Sequence, residues 1–296
     1  MEQKIGWIGT GSHGKPMCSH LIKAGHEVRI YSRTKEKCND LIEIGAQACT
    51  SPEEVAKESD IIFTMLGFPQ DVHDVYFGSN GLLSGVKKGA ILVDMTTSEP
   101  LLAKKIYETA KLKGAHVLDA PINGDDLAAR NRNLSFMVGG EKEIFEEIEP
   151  LFMRMGKSAT YMGPSGSGQS TKITNQILIA STMVGVVESL QFAYKKGLDL
   201  TEVIKVIGQG TAASWSINNL GTRIINGKFD TGFFIKHLVK DMRIALKEAS
   251  DMNLSLPGLA MVHQFYLVAM NMNLADKGTH ALHKVYARMN ENEFSK

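Results

Sequence analysis

With 296 residues, 43% of them hydrophobic and 22% charged, the chain is long enough to bury a large core, and its length suggests two domains. A formal net charge of +1 leaves neither the basic footprint of a nucleic-acid binder nor an acidic tail, so partners have to be argued from sites. Three cysteines, Cys18, Cys38 and Cys49, lack C-x-x-C spacing, and no basic-then-apolar leader precedes the first strand, so a reduced, soluble, cytoplasmic protein is expected.

The first predicted strand runs into Gly9-Thr10-Gly11-Ser12-His13-Gly14 and then a helix, and a second strand follows at Glu27 to Tyr31. This is a βαβ unit of about 30 residues, the context in which G-x-G-x-x-G marks a dinucleotide site. Gly9 permits the tight bend, Gly11 leaves room for a pyrophosphate, and Gly14 lets the helix pack on the strand, with helix N-terminal amides toward the phosphates. An acid that accepts hydrogen bonds from the ribose of NAD usually follows about 20 residues on. Here the second strand ends in Tyr31-Ser32-Arg33-Thr34-Lys35, which offers a guanidinium, an ammonium and two hydroxyls to a 2′-phosphate and contains no acid to repel it, so NADP is favoured over NAD. The alternative is that Arg33 and Lys35 are solvated charges at the start of the next helix.

That helix is predicted from about residue 35 to 44, with a short strand at 46–49 after it. Ser51-Pro52-Glu53-Glu54 reads as a helix start: a capping hydroxyl, proline at the first helical position and acids in the first turn. Ile61 to Leu66 is a continuous apolar run of the kind buried on both faces of a parallel sheet, and Ala90 to Val93 and Ala115 to Leu118 repeat it, with helical stretches between. Strand-helix alternation predicts a doubly wound α/β fold, in which ligands bind at the carboxyl ends of the strands. That rule selects Gly9 to Gly14, Ser32 to Lys35, Met65 to Pro69, Thr96 to Ser98 and Asp119 to Asp125. The alternative reading of Thr96 to Ser98 is a helix cap, and capping is compatible with ligand contact.

A strand at 134–138, a helix near 141–152 and a strand at 159–161 close the α/β part. Gly163-Pro164-Ser165-Gly166-Ser167-Gly168 reads as a hinge, beyond which helical periodicity replaces strand signals. A Rossmann-type domain over 1–163 and an all-α domain over 164–296 are therefore expected. The second begins with a long helix from about 169 to 196, followed by helices near 201–207, 214–225, 235–252, 258–271 and 280–289. Its apolar run, Ile177 to Val187, is interrupted by Ser181 and Thr182 and falls short of a membrane span of about 20 residues, so it is expected to be core. Lys172, Asn175 and Gln176 stand at i, i+3 and i+4 on one face of this helix, a plausible substrate site or simply a solvated first turn. His280 and His283 share a face without a completing carboxylate or cysteine, so an exposed helix face and no metal are expected. The fifteen methionines are scattered, as core fillers are.

Four separated segments resemble the β-hydroxyacid dehydrogenase family, the group of 3-hydroxyisobutyrate dehydrogenase, tartronate semialdehyde reductase and the glyoxylate/succinic semialdehyde reductases. They are Gly9 to Met17, Asp119 to Gly124, Gly163 to Gln176 and Lys240 to Leu246, so the resemblance spans essentially the whole chain. It implies that Lys172 is the catalytic lysine, with Asn175 and Gln176 as its neighbouring amides. It also implies that Asn123 and Gly124 bind the substrate carboxylate, that Thr97 and Lys240 contact the cofactor, that Met65 and Leu66 lie beside the nicotinamide ribose, and that Phe233 and Asp241 stand at the pocket. Ser32-Arg33-Thr34 is similar to the Asn-Arg-Thr of the NADPH-using reductases. The chain departs from the family at His13, usually Met, at Asn123, usually Ser, at Asp125, usually Gly, and at Arg132-Asn133, usually Gly-Thr.

The expected activity is NADP-preferring hydride transfer between nicotinamide and a small β-hydroxyacid/semialdehyde pair, with a monocarboxylate aldehyde ranked above tartronate semialdehyde. A homodimer or homotetramer built through the all-α domain is implied by the family. The alternatives are an NAD-dependent enzyme of the same kind, a cofactor-binding sensor or assembly module, and an imine-reducing relative; the lysine at 172 weighs against the last two.

Overall fold

A computed structural model describes residues 3–230 and 232–294. The chain divides into two units, Met1–Lys172 and Ile173–Lys296.

The first unit begins β1 (Ile5–Ile8), α1 (Gly14–Lys23), β2 (Val28–Tyr31), a 3-10 turn at Lys35–Cys38, α2 (Asn39–Glu43), β3 (Gln47–Ala48), α3 (Pro52–Glu58) and β4 (Ile61–Thr64). It continues α4 (Pro69–Phe77), α5 (Leu82–Gly85), β5 (Ile91–Asp94), α6 (Pro100–Leu112), β6 (His116–Asp119), β7 (Ile122–Asn123), α7 (Asp126–Arg130), β8 (Leu134–Gly140), α8 (Lys142–Met155) and β9 (Gly156–Gly163). These strands form one nine-stranded sheet in the order β3-β2-β1-β4-β5-β6-β8-β7, with β9 beside β8. Pairing is parallel from β3 to β6 and turns antiparallel where β8 meets β6 and β7.

The three central strands β1, β4 and β5 are buried along their whole length, because helices cover both faces of the sheet. Side-chain alternation sends Ile5 and Trp7 to a core shared with Met17, Phe63 and Phe152, and Ile8 and Ile62 to a second core with Val55, Val72 and Ile106. The α3 start follows its sequence signature: the Ser51 hydroxyl accepts from the Glu54 amide at 3.1 Å, and Pro52 holds the first position. The helix expected over 35–44 opens instead as a 3-10 turn and becomes α-helical only at Asn39.

The second unit is helical. The α9 helix (Ser167–Lys195, 29 residues) starts in the first unit and runs into the second, where α10 (Leu200–Ile207), a π-helical turn at Ser216–Gly221, α11 (Thr222–Ile225), α12 (Ile235–Asp251), α13 (Pro257–Asn271) and α14 (Leu282–Met289) follow. By length and composition α9 could cross a bilayer. Yet Ala180, Met183, Val187 and Leu190 pack into a core with Leu238, Met242 and Tyr266, so part of its apolar surface lies within the protein.

His280 and His283 correct the expectation of an exposed face: they are 1% and 0% exposed. Their rings stack on Phe229, with centroids 5.5 and 6.2 Å away. His280 Nε2 lies 2.7 Å from the Lys228 carbonyl and His283 Nε2 lies 2.9 Å from Glu293 Oε1, so each buried ring has a polar partner. Among the described residues, no group of three or more His, Cys, Asp or Glu is placed to hold a metal.

Candidate active site

The glycine loop sits where β1 ends. Gly9 has φ +105, and a Cβ there would lie 2.1 Å from the Met65 carbonyl oxygen, so only glycine lets the loop pass this close to the end of β4. A Cβ on Gly14 would meet the Gly9 carbonyl at 2.2 Å, which is how the start of α1 closes onto the loop. Gly11 faces open space. His13 occupies the N-cap position of α1 without a side-chain cap, and the first turn carries no acid. An uncapped helix N-terminus beneath an open glycine is a cradle for a phosphate, so the residues present fit the pyrophosphate of a dinucleotide.

Buried Thr10 donates its hydroxyl to Ser32 Oγ at 3.1 Å, tying this loop to the end of β2. Arg33, Thr34 and Lys35 follow, all exposed, with Thr34 preceding the 3-10 turn that Lys35 opens. The expectation that nothing here would repel a 2′-phosphate needs one correction. The segment contains no acid, but Asp71 from the first turn of α4 reaches Arg33, with Oδ1 2.8 Å from Nη1.

Met65, Leu66 and Thr97 are half-buried at the carboxyl ends of β4 and β5, and a chain of hydrogen bonds fixes these ends together. The Thr64 hydroxyl and the Thr96 amide donate to Asp94 Oδ1, at 2.8 and 3.1 Å, and the Leu66 amide donates to Thr96 Oγ1 at 2.8 Å. Gln169 then spans to the start of α9: its Nε2 donates to the Thr96 carbonyl at 2.7 Å, while its Oε1 accepts from the Ser98 amide at 2.8 Å. Asp119, at the end of β6, accepts from the amides of Gly166 and Gln169 at 2.7 and 2.8 Å and so caps α9. Burial pushes the Asp119 carboxyl up to about 6 even though both amides oppose the shift. Lys172, 8% exposed, follows one turn later on a helix start held from β4, β5 and β6.

The loop after β6 is more structured than the sequence suggests. Ile122–Asn123 forms the short strand β7 against β8, with Asn123 opposite Ser135, and presents Asn123 and Gly124 exposed. Asp125 caps α7, accepting from the Ala128 amide at 2.9 Å, which gives this departure from the family a structural reason. Arg132 takes φ +54, the left-handed region that glycine would fill without strain. His13 Nε2 lies 3.3 Å from the Gly124 carbonyl, and its Nδ1 lies 3.3 Å from Ser12 Oγ, so the ring bridges the glycine loop and the loop after β7. Its pKa is lowered, chiefly by burial and in part by the Lys172 charge, against the raising pull of the Gly124 carbonyl, Asp126 and Asp125.

In the second unit, four expected site residues join in one chain. Asn175 Nδ2 donates to Gln176 Oε1 at 2.9 Å, Gln176 Nε2 donates to Asp241 Oδ2 at 2.6 Å, and Lys240 Nζ pairs with Asp241 Oδ1 at 3.0 Å. Gln176 and Asp241 are buried. Phe233 stands apart from this chain, half-buried with its ring centroid 6.2 Å from that of His237. Sequence reasoning passed over Asp71 and Asp94 and quoted Asp119 and Gln169 only within segments. Asp94 and Asp119 did carry a signal, since each is a lone acid at the end of an apolar strand.

Comparison with known proteins gives the following matches. Residues 4–163 match the family described as the NAD binding domain of 6-phosphogluconate dehydrogenase, and residues 166–286 match the one described as NAD-binding of NADP-dependent 3-hydroxyisobutyrate dehydrogenase. The Bacillus subtilis protein named uncharacterized oxidoreductase YkwC is 47% identical over 288 residues, covering 97% of this chain and 100% of that protein. Arabidopsis thaliana probable 3-hydroxyisobutyrate dehydrogenase-like 1, mitochondrial, is 47% identical over 288 residues, covering 97% of this chain and 86% of that one. Among solved structures, Mycobacterium tuberculosis 3-hydroxyisobutyrate dehydrogenase with L-serine has the same fold, with a TM-score of 0.89 at 24% identity over 97% of this chain and 99% of that one.

Proposed function

The chain belongs to the β-hydroxyacid dehydrogenase family, as an NAD(P)-dependent hydroxyacid dehydrogenase, and on that premise we propose that it is an NADP(H)-preferring enzyme interconverting a small semialdehyde and its β-hydroxyacid. The observation that carries this reading is the seating of Lys172: a buried lysine on a helix start that Asp119 and Gln169 lock to the ends of β6 and β5, at the same carboxyl edge of the sheet as the glycine loop.

The nicotinamide cofactor, when bound, supplies or accepts the hydride. The protein's own task is at the carbonyl oxygen, where negative charge develops as the carbon is reduced. An ammonium within hydrogen-bond reach stabilises that charge and can deliver the proton that completes the alcohol. In this reading Lys172 does both, while Asn123 and the Gly124 amide hold the substrate carboxylate. The chain of Asn175, Gln176, Asp241 and Lys240 keeps polar groups in fixed orientation on the second unit. Gly9 to Gly14 would cradle the pyrophosphate, Met65, Leu66, Thr97 and Lys240 would contact the nicotinamide half, and Ser32 to Lys35 would face the 2′-phosphate. Self-association as a homodimer or homotetramer through the second unit is part of this reading, and it leaves Leu178, Phe192, Val206 and Trp215, exposed in the single chain, as candidates for burial.

Glyoxylate, succinic semialdehyde, methylmalonate semialdehyde and tartronate semialdehyde, each assayed with NADPH and with NADH, test the proposal. Turnover of a monocarboxylate aldehyde with NADPH preferred is expected. Failure of every aldehyde alongside tight NADPH binding would turn the reading toward a cofactor sensor. Arg33→Asp is expected to lower the NADPH/NADH ratio of kcat/KM by about 10- to 100-fold, the scale of one or two charge-assisted hydrogen bonds. An unchanged ratio would leave Arg33 a solvated surface charge.

A further inference from the structure

In the sheet, β2 and β4 flank β1, so the turn after β2 and the first turn of α4 stand on either side of the glycine loop. From the first comes Arg33 and from the second Asp71, with 2.8 Å between Nη1 and Oδ1. Their exposures differ: 75% of the Arg33 side chain is open to solvent but only 16% of Asp71. The carboxylate is therefore the anchored partner and the guanidinium the movable one. Its place in the first turn of α4, where an acid complements the helix dipole, accounts for a carboxylate at this position but not for one turned onto Arg33.

We propose that Asp71 is a cofactor-selectivity residue: its carboxylate and a ribose 2′-phosphate compete for the Arg33 guanidinium, so that Asp71 moderates the preference for NADP over NAD. The proposal rests on the NADP reading of Arg33 given above. A guanidinium binds carboxylate and phosphate through the same fork of N–H donors. A phosphate arriving at Arg33 either displaces the carboxylate or sits beside it, and like charge opposes the second arrangement. NAD, which carries no 2′-phosphate, meets no such competition. The acid that the end of β2 lacks is thus supplied to the same corner of the fold from a different strand-helix turn, where its effect is graded rather than exclusive.

Calorimetric titration of NADP+ and NAD+ into the full-length protein and its Asp71→Asn, Arg33→Ala and double variants tests this without relying on turnover. Asn preserves the size of Asp71 and removes only its charge. Asp71→Asn is expected to raise the ratio Kd(NAD+)/Kd(NADP+) roughly two- to fivefold, mainly by tightening NADP+, the size of effect that one competing charge on a largely exposed guanidinium can have. In the Arg33→Ala background the same substitution is expected to leave the ratio unchanged. If Asp71→Asn leaves the ratio unchanged or lowers it while Arg33→Ala lowers it, Asp71 is a helix-end charge or a support for Arg33; the competition proposal then fails and the NADP reading stands. If Arg33→Ala itself leaves the ratio unchanged, the NADP reading of Arg33 fails and this proposal with it.

Discussion

Lys172→Ala is expected to lower kcat by roughly 10²-fold or more while the Kd for NADPH changes little, because general acid catalysis and stabilisation of a developing oxyanion are contributions made in the transition state. The side chain is buried, and its helix begins on the amide-carboxylate bonds from Gly166 and Gln169 to Asp119, so the backbone from which the ammonium extends is held to the end of β6. Single-turnover measurement of NADPH oxidation with saturating aldehyde separates this chemical effect from binding. Lys172→Arg should rescue little: the planar fork is wider than an ammonium and cannot donate its proton near neutral pH. Unimpaired turnover of Lys172→Ala would remove the residue from the mechanism. A fall matched by lost cofactor binding would instead mean that the helix start had collapsed.

The fold was largely legible before the structure, for reasons that differ from element to element. The strands at Ile61 and Ile91 contain four residues each, all buried, with the one polar residue of each, Thr64 or Asp94, at its end, so they read as continuous apolar runs. The glycine loop was legible because glycine spacing encodes backbone clearance, and the clearances at Gly9 and Gly14 have the expected form. The turn after β6 was not. Two residues of strand and five of helix leave no period to detect, and the cap at Asp125 looks in the sequence like a stray acid near a substrate loop. His280 and His283 were misplaced for a related reason. A histidine pair at this spacing looks the same whether it meets water or the Phe229 ring, and only the packing of α14, which holds His283, and of the 3-10 turn Thr279–Ala281 before it, which holds His280, decides.

The candidate site divides the same way. Residues whose type carries the chemistry, Lys172, Asn123 and Arg33, could be nominated from the chain. Residues that act by holding others could not, because Asp71 lies 38 positions from Arg33 and Gln169 reaches Ser98 across 71. No local pattern records such a pairing. His13 shows the intermediate case: its place in the glycine motif was plain, while its reach to the Gly124 carbonyl depends on how two loops fold toward each other.

Asp119→Ala is expected to destabilise the first unit by roughly 2–6 kcal/mol below about pH 4, because it leaves two buried amides at the start of α9 without their acceptor, at about 1–3 kcal/mol each. The size should depend on pH, and the sign follows from the raised carboxyl. Folded, Asp119 titrates at about 6; its ordinary value is 3.8. Between these values the folded state holds a proton that the unfolded state has released, so this group's contribution to stability is fully present below the ordinary value and declines as pH rises toward about 6. The variant lacks that decline. The stability gap between wild type and Asp119→Ala should therefore be widest below the ordinary value of 3.8 and narrow as pH rises to about 6. Urea unfolding followed by Trp7 fluorescence reads it, in a Trp215→Phe background so that the first unit alone reports. A gap that widens with pH would show instead that the two amides hold Asp119 ionised against its burial. In that case the helix bearing Lys172 is fixed by a buried negative charge, and kcat should fall on acidification along with stability.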